Sequence, residues 1–182
     1  MSEKPDLPVP WGDFLGELDA LLDEPIQLHC IGGFAVVAGY GLARATNDLD
    51  YRTPIPYNRI NDLQQLAGPE SALAQKHKVY LQHPGVDAMP ENYDERLTEL
   101  GPGRFKKIRL FIPDAYDLVL SKLSRNIERD RQDVEFLVRT ERLQAGILRE
   151  RYAEELRSGL IGDPKQHDQT LEFWIEAYFR QR

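Results

Sequence analysis

Between residues 26 and 53 the chain reads IQLHCI, then GGFAVVAGYGLARAT, then NDLDYRT. This run constrains the fold more than any other. IQLHCI is short and mostly apolar, as a buried strand requires, and Gly32-Gly33 stops it. FAVVAGYGLA reads as a short helix, weakened by Gly39 and Gly41. In DLDYRT acidic and apolar residues alternate. A strand there carries Asp48 and Asp50 on one face, with side chains roughly 7 Å apart at the base.

The flanking segments extend this pattern. WGDFLGELDALL places Trp11, Phe14, Leu15, Leu18, Leu21 and Leu22 on one helical stripe, and Pro25 ends it. The proline-rich residues 1–10 predict an irregular arm. PYNRINDLQQLAGPE predicts a helix, and KVYLQHPGVDAM one or two strands broken at Pro84-Gly85. ENYDERLTEL reads as a helical turn or two, and KKIRLFI as a strand. From Pro113 the chain reads as helical. One face carries Tyr116, Val119, Leu120 and Leu123. RDRQDVEFLVRT starts the next helix with Asp130 as its N-cap. RLQAGILRERYAEELR forms a third, and Leu171, Trp174, Ile175 and Tyr178 stripe a last one. The expected fold is α/β (α+β): a mixed sheet flanked by helices over residues 1–112, with an α-helical part over 113–182.

Composition narrows the function classes. Hydrophobic residues make up 41% of the 182, enough for a packed core. The formal net charge of -7 argues against a general DNA or RNA binder, which is usually basic. With Cys30 as its one cysteine, the chain has no internal disulfide, as befits a reducing compartment. The N-terminus lacks an apolar signal core, and no stretch approaches the roughly 20 apolar residues of a membrane span. These features predict a cytoplasmic protein with no membrane partner.

Two carboxylates on one strand face can bind a divalent cation, and Mg²⁺ favours few carboxylates, retained waters and phosphate oxygens. Gly32 and Gly33 lack side chains, so a triphosphate can approach the backbone and meet the N–H groups that open the helix. Taken alone, a Gly-Gly is a turn and an Asp-x-Asp a solvated strand face. Their order raises the functional reading: strand, Gly-Gly, helix, Arg44-x-Thr46-x-Asp48-x-Asp50, strand.

This stretch resembles the nucleotidyltransferase superfamily, the polymerase-β-like fold. Its GG…RATNDLD form is similar to the AbiEii-type toxins of toxin–antitoxin systems and to an uncharacterised bacterial family of predicted nucleotidyltransferases. The later run DAYDLVLSKLSRNIERDRQDVEFL strengthens the resemblance, which spans about residues 26–138. The resemblance implies Mg²⁺ (or Mn²⁺) at Asp48 and Asp50. It also implies transfer of a nucleoside monophosphate from a triphosphate to an acceptor hydroxyl or phosphate, on an RNA, a protein or a small molecule. Gly32 and Gly33 would contact the triphosphate, and Arg44 and Thr46 would brace the loop or touch phosphate. A cognate toxin or antitoxin protein is the partner implied.

Superfamily members usually add a third carboxylate. IRLFI offers none, which leaves Asp87 as the candidate, ahead of Asp114 and Asp117, which read as helix-starting residues. Lys122, Arg125 and Arg129 are spaced three and four apart. They share a face to meet phosphates if one helix runs through Asn126. On the bland reading Arg129 pairs with Asp133, and Arg131 with Glu135. The four histidines are scattered and make no zinc set. His29 reads as a packed residue. The alternative function is a nucleotidyltransferase-like binding or regulatory protein without turnover.

Overall fold

A computed structural model describes residues 7–85 and 87–179, so most of the arm expected over residues 1–10 lies outside the described residues. The chain divides into two compact units. The first comprises the chain up to Gly85 together with Leu97–Ile112, and the second comprises 86–96 and Pro113 onward. The architecture is the expected mixed α/β one, with a helical C-terminal part.

The first unit holds helices α1 (Trp11–Leu21), α2 (Gly32–Tyr40), α3 (Ile60–Ala67) and α4 (Ala72–His77), and strands β1 (Ile26–Ile31), β2 (Asp48–Tyr51), β3 (Tyr80–Gln82), β4 (Thr98–Leu100) and β5 (Ile108–Ile112). The strands form one sheet in the order β3-β2-β1-β5-β4. β1 runs antiparallel to β2 and parallel to β5, β2 is parallel to β3, and β4 is antiparallel to β5. Strand alternation sorts the side chains. Leu28, Cys30, Leu49, Tyr51, Leu81, Ile108 and Leu110 are buried in the core. Helix α2 packs so closely on this face that a β-carbon at Gly39 would collide with Ile112 Cδ1. Trp11 of α1 meets Phe34 of α2 edge-on at 4.9 Å.

Several elements differ from the sequence expectation. The helix expected over 56–70 is a 3-10 turn, Tyr57–Arg59, leading into the shorter α3. Helix α4 was not expected; Ser71 caps it by accepting from Ala74 N at 3.1 Å. Residues 98–100 are not helical but form β4, because Glu99 and Leu100 pair with Phe111 and Leu110. Among the described residues after Pro84-Gly85 no strand appears before β4.

The second unit holds α5 (Ala115–Ser121), α6 (Glu128–Thr140), α7 (Ala145–Arg151) and α8 (Pro164–Trp174); α7 and α8 each run on into a π-helical turn. Asp114 caps α5 by accepting from Asp117 N at 2.9 Å. Asp130 is not the N-cap of α6. It sits one turn in and accepts from the Ile127 N–H at 3.3 Å. An ionic cluster around buried Asp117 ties this unit together. Arg96 grips Asp117 at 2.9 Å and Glu155 at 2.7 Å, and Arg151 binds Asp114 at 2.7 Å and Asp117 at 3.0 Å. Burial pushes the Asp117 carboxyl above its ordinary value despite these arginines.

One carboxylate fastens α1 to the sheet. Asp19, 8% exposed, accepts from the backbone N–H groups of Lys106, Lys107 and Ile108 at 3.1, 2.7 and 2.8 Å. Burial alone would raise its pKa, but these hydrogen bonds outweigh it and hold the carboxyl below the usual range. The resulting stability is fully present above the unfolded carboxyl's pKa of about 3.9 and is lost as pH falls through the lower folded value. Asp19→Ala should lower stability by about 2–3 kcal/mol, because three donors at the start of β5 lose a charged acceptor. Urea unfolding of the variant and the wild type at pH 7 and pH 3 checks this. The gap should narrow at the lower pH.

Candidate functional site

The site is built where β1 ends, α2 begins and β2 runs past them. Ile31 pairs with Asp50, and Cys30 with Tyr51. In β2, Leu49 and Tyr51 are buried while Asp48 and Asp50 are half-exposed, so both carboxylates emerge on the face away from the core. The chain turns sharply from β1 into α2 at Gly32, whose φ is +65°, a conformation that favours glycine. Space makes the same demand. A β-carbon at position 32 would stand 2.6 Å from Asp50 Oδ2. The Asp50 carboxylate therefore lies against the first residue of α2, at the positive end of a nine-residue helix.

Thr46 connects to the other carboxylate. Its hydroxyl, on a residue 6% exposed, lies 3.1 Å from the Asp48 carbonyl oxygen and 3.3 Å from Asp48 Oδ1. Arg44 points elsewhere. With Thr46, Trp11, His77 and Lys78 it lines a pocket of about 160 Å³ whose walls include none of Gly32, Gly33, Asp48 or Asp50. Cys30 and Tyr51 face the core. Burial pushes the Cys30 thiol up, and the Tyr51 hydroxyl up to about 12, so neither is a ready nucleophile.

The model of the family described as nucleotidyltransferase of unknown function (DUF6036) matches residues 15–181. The chain belongs to this nucleotidyltransferase family. No curated protein and no solved structure matches it. Membership implies a nucleotide substrate and covers both compact units. Among the described residues no helix is long and apolar enough to cross a membrane.

Asp48 and Asp50 fit a divalent cation that takes its other ligands from water and phosphate, since they share one half-exposed strand face beside the start of α2. Among the described residues no three His, Cys, Asp or Glu side chains are grouped to hold a metal. Asp87 is half-buried and groups with the second unit. Sheet register reveals neighbours that the linear sequence conceals. The face of Asp48 and Asp50 also carries Tyr80 and Gln82 of β3, His29 of β1 and Phe111 of β5. His29, read from sequence as a packed residue, is half-buried there and meets Phe111 edge-on at 5.9 Å.

Lys122, Arg125 and Arg129 do not share one helical face. Helix α5 ends at Ser121, Asn126 takes φ +44°, and α6 begins at Glu128. Lys122, 4% exposed, places its ammonium 2.8 Å from Asp133 Oδ2 and 3.7 Å from Asp130 Oδ1. Arg125 holds Asp130 through two bonds of 2.6 and 2.8 Å. Burial would raise the Asp130 carboxyl, but the Arg125 bond and the Lys122 charge hold it below the ordinary value. Arg129 is exposed, and Arg131 pairs with Glu128 at 2.7 Å rather than with Glu135.

Two predictions follow from these contacts. Gly32→Ala should lower the melting temperature by about 2–8 °C, from left-handed strain of about 1–2 kcal/mol, and displace the Asp50 carboxylate. A melt identical to wild type would show that position 32 tolerates a side chain. Lys122→Met should cost about 3–5 kcal/mol, because Asp133 is left buried without its cation. Chemical denaturation measures this, and Lys122→Arg should restore part of the loss.

Proposed function

We propose that this family member is a Mg²⁺-dependent (or Mn²⁺-dependent) nucleotidyltransferase that moves a nucleoside monophosphate from a triphosphate to an acceptor oxygen. The observation that carries the reading is the placement of Asp50 Oδ2 against Gly32, with Asp48 on the same strand face. An anion-binding helix start and a cation-binding carboxylate pair then serve one ligand, the metal–triphosphate. The acceptor oxygen attacks the α-phosphorus, a new P–O bond forms, and the bond to the departing pyrophosphate breaks. When bound, the metal neutralises charge on the phosphates. Asp48 and Asp50 orient the triphosphate, Gly32 and Gly33 expose the backbone N–H groups, and Thr46 steadies Asp48. Arg129, which is exposed, and Arg125, if it releases Asp130, are proposed to contact phosphate, and Arg44 to brace the loop before β2. Lys122 shares that phosphate role only if Asp133 and Asp130 release its ammonium. Asp87 is the proposed third carboxylate. The acceptor class is RNA, protein or a small molecule. The Arg-x-Thr-x-Asp-x-Asp form supports a setting within a toxin–antitoxin pair.

One observation favours the second reading, a binding or regulatory protein without turnover. Among the described residues no third carboxylate joins the pair as a ready-made cluster. Turnover separates the two. Incubation with each of the four α-³²P-labelled triphosphates, Mg²⁺ and a cell extract should label an acceptor and release pyrophosphate. Binding without label transfer supports the regulatory reading.

Asp48→Asn with Asp50→Asn should abolish Mg²⁺-dependent triphosphate binding by calorimetry and leave the melting temperature nearly unchanged, because both side chains are half-exposed. Native affinity in the double variant would remove the carboxylates from the site.

A further inference from the structure

The ladder between β2 and β3 sets a neutral side chain beside the acidic pair. Asp50 lies opposite Gln82 in parallel register, and Asp48 opposite Tyr80. Residues paired in this way project from the same face, on strands about 4.8 Å apart. Burial agrees: Leu81 is buried, while Gln82 is half-buried like Asp50. Among the described residues none hydrogen-bonds the Gln82 side chain. On its other side Asp50 is flanked by Ile31, which has no polar atom to offer. Gln82 is therefore the polar side chain registered directly beside Asp50, and its amide is not engaged elsewhere.

We propose that Gln82 is a nucleotide-binding residue of this site, its amide N–H donating to a phosphate oxygen of the triphosphate held at Asp48 and Asp50. The proposal rests on the nucleotidyl-transfer reading and adds a residue that the sequence motif does not contain. The chemistry favours an amide here over a carboxylate. A glutamate at position 82 would add a third fixed negative charge, repel phosphate and attract a cation without any nucleotide. A glutamine keeps the fixed charge at two carboxylates, a weak cation site on its own, and offers phosphate a donor. Cation and triphosphate then bind together, each completing the other's ligand set.

Two variants test this by binding alone, beside thermal melts. Each is titrated with the α,β-methylene analogues of the four triphosphates in Mg²⁺, and with Mn²⁺ alone. Gln82→Ala should weaken analogue binding about tenfold or more, as for a hydrogen bond to a charged group, with an unchanged melt. Gln82→Glu should tighten Mn²⁺ binding without nucleotide about tenfold, because a third carboxylate joins the pair. Native analogue affinity in Gln82→Ala overturns the proposal. So does native Mn²⁺ affinity in Gln82→Glu, because it takes position 82 off the carboxylate face. If the wild type binds none of the analogues, the nucleotidyl-transfer reading fails with it. A wild type that binds and loses affinity in Asp48→Asn, but not in Gln82→Ala, overturns the role of Gln82 alone.

Discussion

The pairing of Ile31 with Asp50 holds the site together, because it fixes three things at once. It sets the last residue of β1 beside an acidic one, it places the turn into α2 directly after that pair, and it brings the Asp50 carboxylate against that turn. Only a residue without a β-carbon meets both demands at position 32, a φ of +65° and an oxygen 2.6 Å from where that carbon would be. The glycine is thus not merely permissive of a ligand. It is required by the contact between strand and helix, where the Asp50 carboxylate takes the space that a β-carbon would fill.

That contact depends on the layer beneath it. β2 presents Asp48 and Asp50 in a fixed direction because Leu49 and Tyr51 are locked in the core, where a one-residue slip would bury both carboxylates. The core in turn depends on α1 and α2. Asp19 secures α1 to the start of β5, and Gly39 lets α2 approach Ile112. The charges of the second unit serve a different end. Lys122, Asp130, Asp133 and Arg125 form one set in which two buried carboxylates are matched by cations, and Arg96, Arg151, Asp114, Asp117 and Glu155 form another around buried Asp117. Such sets are costly to break and weak evidence of net stabilisation.

Local signals were legible in the sequence and long-range ones were not. The two-residue alternation of DLDY named β2 and its acidic face, and IQLHCI and IRLFI declared themselves by apolar content. Three-residue β4 was hidden, because so short a strand has no period of its own and exists through its pairing with β5. The helix at 72–77 carried a legible cap in Ser71 but too few residues for an apolar stripe. At Lys122 the three-and-four spacing suggested a helical face. The left-handed turn at Asn126, a residue tolerant of that conformation, replaced it with a reversal that folds the lysine back onto Asp133.

The same distinction separates the parts of the site. Glycines and aspartates lie within one stretch of sequence, so their spacing alone announces them. Gln82 and His29 reach the face of Asp48 and Asp50 through ladder register, a property of paired strands that no single strand encodes. A search along the chain for a third carboxylate looks for a residue type, whereas the sheet specifies a position and leaves the residue type to chemistry. On β3 that position holds an amide. In the proposed site, whether the strand face takes one cation with its nucleotide or a cation alone then turns on one side chain's charge, set 32 residues away in sequence and one strand away in space.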